Sequence, residues 1–195
     1  IRDSFEVVEE VPFLVPGPIR ALSVSSATGA TPATPDRFDV DPVDTLPPGT
    51  YAYGCGLNPA DSLVHLAGEP LIGTAMTLGV DNPLGTQATG SIPLVALALA
   101  PQVGFPCGIP VPGWGMDGGF GELLISVSGP NPIDPLLIGT PWAGPGLPAP
   151  VPVVLPDAEF LVGLPLFAQG IMWDPTVAGG VEIGLAGALE MIVGA

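Results

Sequence analysis

The chain has 195 residues, 47% of them hydrophobic and 11% charged, with a mean hydropathy of +0.57; this supplies a core and excludes the low-hydrophobicity, high-charge composition of disordered chains. Nineteen acids face three bases, Arg2, Arg20 and Arg37, for a formal net charge of -16, and from residue 38 onward there is neither Lys nor Arg. Such a body repels nucleic acid and anionic headgroups, and with no uninterrupted apolar run of about 18 residues, no membrane insertion is expected.

Residues 4–15 (SFEVVEEVPFLV) read as an extended, partly alternating segment whose apolar side chains are Phe5, Val7, Val8, Phe13 and Leu14. Pro16-Gly17-Pro18 ends it, and residues 19–26 (IRALSVSS) form a second predicted strand. Residues 27–35 (ATGATPATP) are a small-residue connector, and residues 36–44 (DRFDVDPVD) are acidic. Residues 1–50 are therefore expected to be an N-terminal arm and linker containing a candidate donor strand.

Residues 51–195 are expected to be one β-sandwich domain. Strands are predicted over residues 62–67, 74–80, 92–100, 122–128, 151–155, 164–173 and 181–193, the last broken at Gly184 and Gly187. Between them stand turn signals such as Asp81-Asn82-Pro83, Pro112-Gly113, Asp117-Gly118-Gly119, Asp174-Pro175 and Gly179-Gly180. The 28 Gly and 27 Pro act as punctuation between short apolar runs and leave room for no more than one helical turn, at residues 158–161. The expected fold is all-β, an antiparallel β-sandwich, Ig-like or jelly-roll-like, with an extended N-terminal arm. Cys55 and Cys107 bracket several of these strands. A bridge between them would stabilise the fold by roughly 4 kcal/mol in the chain-entropy model, the alternative being two buried thiols. A bridge, and a first residue that is Ile instead of Met, lead to the expectation of a secreted, extracellular or cell-surface protein.

Four segments carry a resemblance: Cys55-Gly56 opening the body, then residues 68–82 (GEPLIGTAMTLGVDN), 151–175 (VPVVLPDAEFLVGLPLFAQGIMWDP) and 179–194 (GGVEIGLAGALEMIVG). Together they resemble a poorly characterised secreted β-sandwich domain of planctomycete-type environmental bacteria. In that family a P-x-LG-x-x-x-x-L strand precedes a P-D-x-x-L-x-G-L-x-L-x-x-Q segment and a D-P…L-x-x-A-L-x-x-x-x-G terminus. The resemblance spans about residues 51–195 and implies the fold and export, with no assigned activity. Ala186-Gly187 stands where the family has Ser-Asn, and the arm lies outside the match.

Catalytic patterns are missing. The one histidine, His65, sits in the apolar run Leu63-Val64-His65-Leu66 and reads as a strand side chain; no serine occupies a G-x-S-x-G elbow. The acids are too many to single out a glycosidase pair, and aromatics total only 6%. No enzymatic activity is expected, and no cofactor other than a candidate calcium ion on Asp39, Asp41 and Asp44 or at the Asp117 turn, neither of which follows an EF-hand pattern. Trp114 and Trp142, in Gly/Pro-rich loops, read as packing residues or as a stacking platform.

The arm carries a physical reason to engage a partner: an extended segment satisfies its backbone and buries Phe5, Val7, Val8, Phe13 and Leu14 by adding to a sheet edge, bringing Arg2 and Arg20 to an acid-only body. The expected function is a structural subunit of an extracellular filament, tubule or surface assembly, a head-to-tail homopolymer joined by strand addition. The alternative is a secreted adhesin-type module recognising glycan or matrix with calcium.

Overall fold

The computed structural model describes residues 48–127 and 136–195. The chain divides into two units, Ile1–Thr45 and Leu46–Ala195, and every described residue belongs to the second.

In chain order the strands are β1 (Gly49–Tyr53), β2 (Leu63–Ala67), β3 (Ala75–Val80), β4 (Ile92–Ala98), β5 (Ile109–Pro112), β6 (Phe120–Leu123), β7 (Leu136–Ile138), β8 (Ala149–Val154), β9 (Pro165–Trp173) and β10 (Ile183–Ile192), with one 3-10 turn at Glu159–Leu161. They form a five-stranded sheet of order β1-β10-β9-β4-β7, a three-stranded sheet β2-β3-β8 and a β5-β6 hairpin. All these ladders are antiparallel. The expected all-β sandwich is what forms.

The two larger sheets pack face to face. β3 and β8 contribute Met76, Leu78, Val80, Val151 and Val153 to one buried cluster, and β4, β9 and β10 contribute Val95, Leu97, Leu166, Ala168, Met172, Leu189 and Met191. In β8 the period of two is direct: Ala149, Val151 and Val153 are buried while Pro150, Pro152 and Val154 are exposed. β8 ends its sheet, where a strand can carry prolines without losing ladder bonds. Gly170 in β9 is hemmed in from two sides: a Cβ there would lie 2.8 Å from the Ala186 Cβ on the adjacent strand β10 and 3.3 Å from the Leu63 Cδ1 of the facing sheet.

β9 does not alternate; its central residues are buried on both faces. The reason is the long connection from β4 to β7, whose Ile125 packs with Ala96, Ala98 and Phe167 on the outer face of the five-stranded sheet. Phe105 from the same connection stacks there with Tyr53 and Phe167, at centroid distances of 5.2 and 6.2 Å.

Four details depart from the sequence reading. The strand expected over residues 122–128 runs instead over Phe120–Leu123, as β6, paired in a hairpin with β5. β1 starts at Gly49, slightly before the expected boundary at residue 51. β5 and β7 were not predicted, because β5 (IPVP) has two prolines and β7 only three residues. The terminal run is also one strand instead of three pieces. Gly187 marks a register shift between Leu185 and Ala188, and Gly184 is a close-approach site where a Cβ would meet the Met116 Cγ at 2.8 Å.

Candidate functional site

β1 ends at Tyr53 and is followed by Gly54-Cys55-Gly56. Both glycines hold left-handed backbone, at φ +134° and +89°, a conformation that costs glycine nothing, and it turns Cys55 toward the β5-β6 hairpin. There it is bonded to Cys107, 52 positions on in sequence, with the Cα atoms 5.0 Å apart. Cys55 is exposed and Cys107 half-buried, so the bridge lies at the surface.

Beneath the bridge sits Glu122 of β6, 2% exposed. Its Oε2 accepts the Cys55 N–H at 3.0 Å and its Oε1 accepts the Gly108 N–H at 2.8 Å, so one carboxylate ties both cysteine segments. The Glu122 backbone is held in turn. Asn58 Oδ1 accepts its N–H, and Asn58 Nδ2 and Gln169 Nε2 both donate to its carbonyl. The same two amides donate to the Ala186 carbonyl, and Ser62 Oγ accepts the Gly187 N–H. The bulge in β10 is thus matched group by group by buried side chains, the condition under which a buried polar network rigidifies a fold.

Two further buried carboxylates repeat the pattern. Asp81 accepts Trp142 Nε1–H at 2.8 Å on one oxygen and Gly146 N–H at 2.9 Å on the other. Asp174 accepts the Thr176 hydroxyl at 2.6 Å, with the N–H groups of Thr176, Val177, Ala88 and Gly179 around it. The Thr176 hydroxyl foremost, then the Ala88, Thr176 and Gly179 N–H groups, hold the Asp174 carboxyl down at about 2, against the opposing effect of burial. With no Lys or Arg in the body, these anions are stabilised by N–H and O–H donors instead of cations. Tyr53 shows the opposite shift. Burial first, and the charge of Glu190 second, push its phenol up, and its hydroxyl donates to the Leu124 carbonyl at 3.1 Å.

Beside the bridge an open cleft of about 410 Å³ is lined by residues of β1 and β2, the terminal strands of the two sheets, and by the turn between them. Its walls include Tyr53, Leu63 and Leu124, and its ionisable carboxylates are Asp61 and Glu122. Its volume falls within the range of small-ligand sites, about 300–1,000 Å³.

As expected, the structure joins Cys55 to Cys107. The Cys55 and Cys107 sulfurs and a Glu122 oxygen lie within 4.8 Å of one another, but sulfurs bonded to each other are not thiolate donors. Asp174, with five donors on its two oxygens, offers no position to a cation. Asp117 accepts its own Gly119 N–H at 2.8 Å in an exposed turn. His65 is half-buried on β2, its Nε2 against the Gly68 carbonyl. Trp142 is core, 1% exposed, whereas Trp114 and Trp173 are 42% and 37% exposed. The arm residues Arg2, Phe5, Val7, Val8, Phe13, Leu14 and Arg20, and the calcium candidates Asp39, Asp41 and Asp44, lie outside the described residues.

The sequence reading passed over Asn58, Glu122 and Gln169, which share one hydrogen-bonded network, and read Asp81 and Asp174 only as turn residues. The signal present was a lone polar residue inside an apolar strand, in FGELLIS for Glu122 and LFAQGIMW for Gln169. Among the described residues no helix is long and apolar enough to cross a membrane. Compared with known proteins, the chain matches no family model, no curated protein and no solved structure.

Proposed function

We propose that this chain is a secreted structural subunit that polymerises with copies of itself into a filament, tubule or surface assembly, its N-terminal arm adding as a strand to a neighbouring subunit. One observation carries the reading. On the outer face of the five-stranded sheet, register places Ile138 beside Leu94, Leu94 beside Ile171, and Ile92 beside Trp173. Ile138, Leu136 and Trp173 are 66%, 53% and 37% exposed, although the domain already has a complete core. Among the described residues this stripe contains no carboxylate, so on a chain of net charge -16 it is a surface where self-repulsion little opposes contact between copies. The arm supplies all three arginines of the chain, and the surface disulfide fits an oxidising, extracytoplasmic setting.

The test compares the full chain with residues 46–195, which contain the whole described core and the disulfide, by sedimentation and electron microscopy over a range of concentration and salt. Assembly of the full chain, strengthened by salt that screens repulsion, and a folded monomer for the shorter chain are expected. A full chain that stays monomeric throughout, or two chains that assemble alike, would sink the reading.

A further inference from the structure

We infer that four loops at one end of the sandwich form a preorganised platform that contacts a second copy, an assignment that rests on the self-assembly reading and extends its surface. The connections β3–β4, β7–β8 and β9–β10 share this end, because the antiparallel ladders set the close of β3, β7 and β9 level with the start of β8, β4 and β10. The β5–β6 turn joins them, with Gly115 bridged to Leu185.

One loop holds the other three. Asp81, which opens β3–β4, accepts the Trp142 Nε1–H and the Gly146 N–H of β7–β8. The Thr86 hydroxyl donates to the Met116 carbonyl of β5–β6. Gln87 Nε2 donates to the Met172 carbonyl at 2.8 Å, and the Ala88 N–H to Asp174 Oδ2 at 3.1 Å, both at the β9–β10 hairpin. Asn82 Nδ2 donates to Thr86 Oγ1 and Gln87 Oε1, which fixes the hub itself. Asp81, Asn82, Gln87 and Asp174 are buried, and among the described residues no buried side-chain N or O lacks a partner. A polar network satisfied in this way holds its loops in one arrangement.

Each loop then turns one large apolar side chain to solvent: Leu84 (52% exposed), Trp114 (42%), Leu147 (59%) and Val177 (45%). Val177 does so under strain. Its φ is 53°, a left-handed backbone that a β-branched residue adopts only when its surroundings impose it. Asp174 imposes it, because its carbonyl and its Oδ1 both take the Val177 N–H. Burial within the domain does not repay this strain, so the exposed side chain points to a role in contact.

Charge and continuity identify the partner. Residues 82–91, 113–119, 139–148 and 175–181 contain a single acid, Asp117, on a chain of net charge -16. A basic partner finds little to hold there, whereas another copy of this acidic chain meets little repulsion. Ile92, Ile138 and Trp173, at the end of the exposed stripe, are also the residues at which these loops join the five-stranded sheet. Stripe and loops are therefore one surface, and loops already fixed pay little ordering cost on contact.

Sedimentation of full-length variants tests the platform. Leu147→Glu and Val177→Asn are each expected to weaken self-association roughly fivefold or more. The melting temperature should hold for the first and hold or rise for the second, since Asn tolerates left-handed backbone; a purely structural role would not lower association without lowering stability. Phe160→Asn is the control, because Phe160 is 74% exposed on the 3-10 turn between β8 and β9, at the opposite end, and should associate as the parent does. Loop variants that associate normally, or a Phe160→Asn variant weakened as much as they are, overturn the platform. Protection of Trp114 from quenching by a neutral glycan, with association unaltered in both loop variants, would assign the loops to sugar instead. The two readings fail separately. If the full chain assembles and the loop variants assemble alike, the assembly reading stands and the platform falls; if the full chain stays monomeric throughout, the assembly reading itself falls.

Discussion

The Glu122 carboxylate accepts the backbone N–H of Cys55 at 3.0 Å across 67 positions of sequence, directly under the disulfide that Cys55 makes. Its second oxygen does the same for Gly108, so the covalent tie and the hydrogen-bonded tie join the same two segments. Glu122→Gln keeps the shape but turns an amide N–H toward a backbone donor, and should cost about 1–3 kcal/mol in urea denaturation with the disulfide intact. Replacing both cysteines by serine should cost about 4 kcal/mol, less any residual structure of the unfolded chain. If Glu122→Gln leaves the midpoint unchanged, the carboxylate is not the clamp described.

Asp174 sets an acid limit. Its carboxyl is held near 2 against an ordinary 3.8, principally by the Thr176 hydroxyl. A depressed pKa in the fold means that the unfolded chain takes up the proton first, so the contribution is fully present above about pH 4 and is lost as the pH falls toward 2. Melting temperature followed against pH should show an acid-sensitive slope in that window that is reduced in Asp174→Asn. An identical slope in the variant would assign the acid sensitivity to other groups.

Trp142 and Asp81 form a buried pair at 2.8 Å. Trp142→Phe keeps an apolar ring but removes the N–H, leaving one oxygen of the buried Asp81 carboxylate without its donor while the Gly146 backbone N–H stays on the other, at a cost of about 2–3 kcal/mol. Fluorescence offers a second check: acrylamide should quench Trp114 and Trp173 while Trp142 stays protected until unfolding. Equal quenching of all three would contradict the burial of Trp142.

Gly170 tests the closeness of packing in the core. A methyl group there would stand 2.8 Å from the Ala186 Cβ, opposite a backbone already fixed by Asn58 and Gln169. Gly170→Ala should therefore destabilise by about 1–3 kcal/mol, as overpacking does, although alanine has the higher β-strand tolerance. Gly56→Ala is the control for a different cause. Nothing lies within 4 Å of a Cβ at Gly56, so any cost there is conformational, from φ +89°.

The sequence by itself determined the strands that carry their own apolar period or lie between clear turn signals. β2, β3, β4, β8 and β9 fall within the predicted runs, give or take a few residues at their ends, and the Glu159–Leu161 turn falls in the single helix-permissive stretch. It also determined the absence of lysine and arginine from the body, and hence that a buried carboxylate there would draw on N–H or O–H donors. Only the tertiary structure decided which carboxylates are buried and what satisfies them. Glu122 meets Cys55 and Asn58, and Gln169 meets Leu124, over separations of 45 to 67 residues, and no local pattern encodes a hydrogen bond across such a distance. It likewise decided that Gly187 is a bulge inside one strand while Gly184 is a close contact, because two glycines look alike until a neighbour fixes what a side chain would meet. β7 shows the same limit from the other side. Three residues have no period to read, and it becomes a strand only because β4 lies beside it.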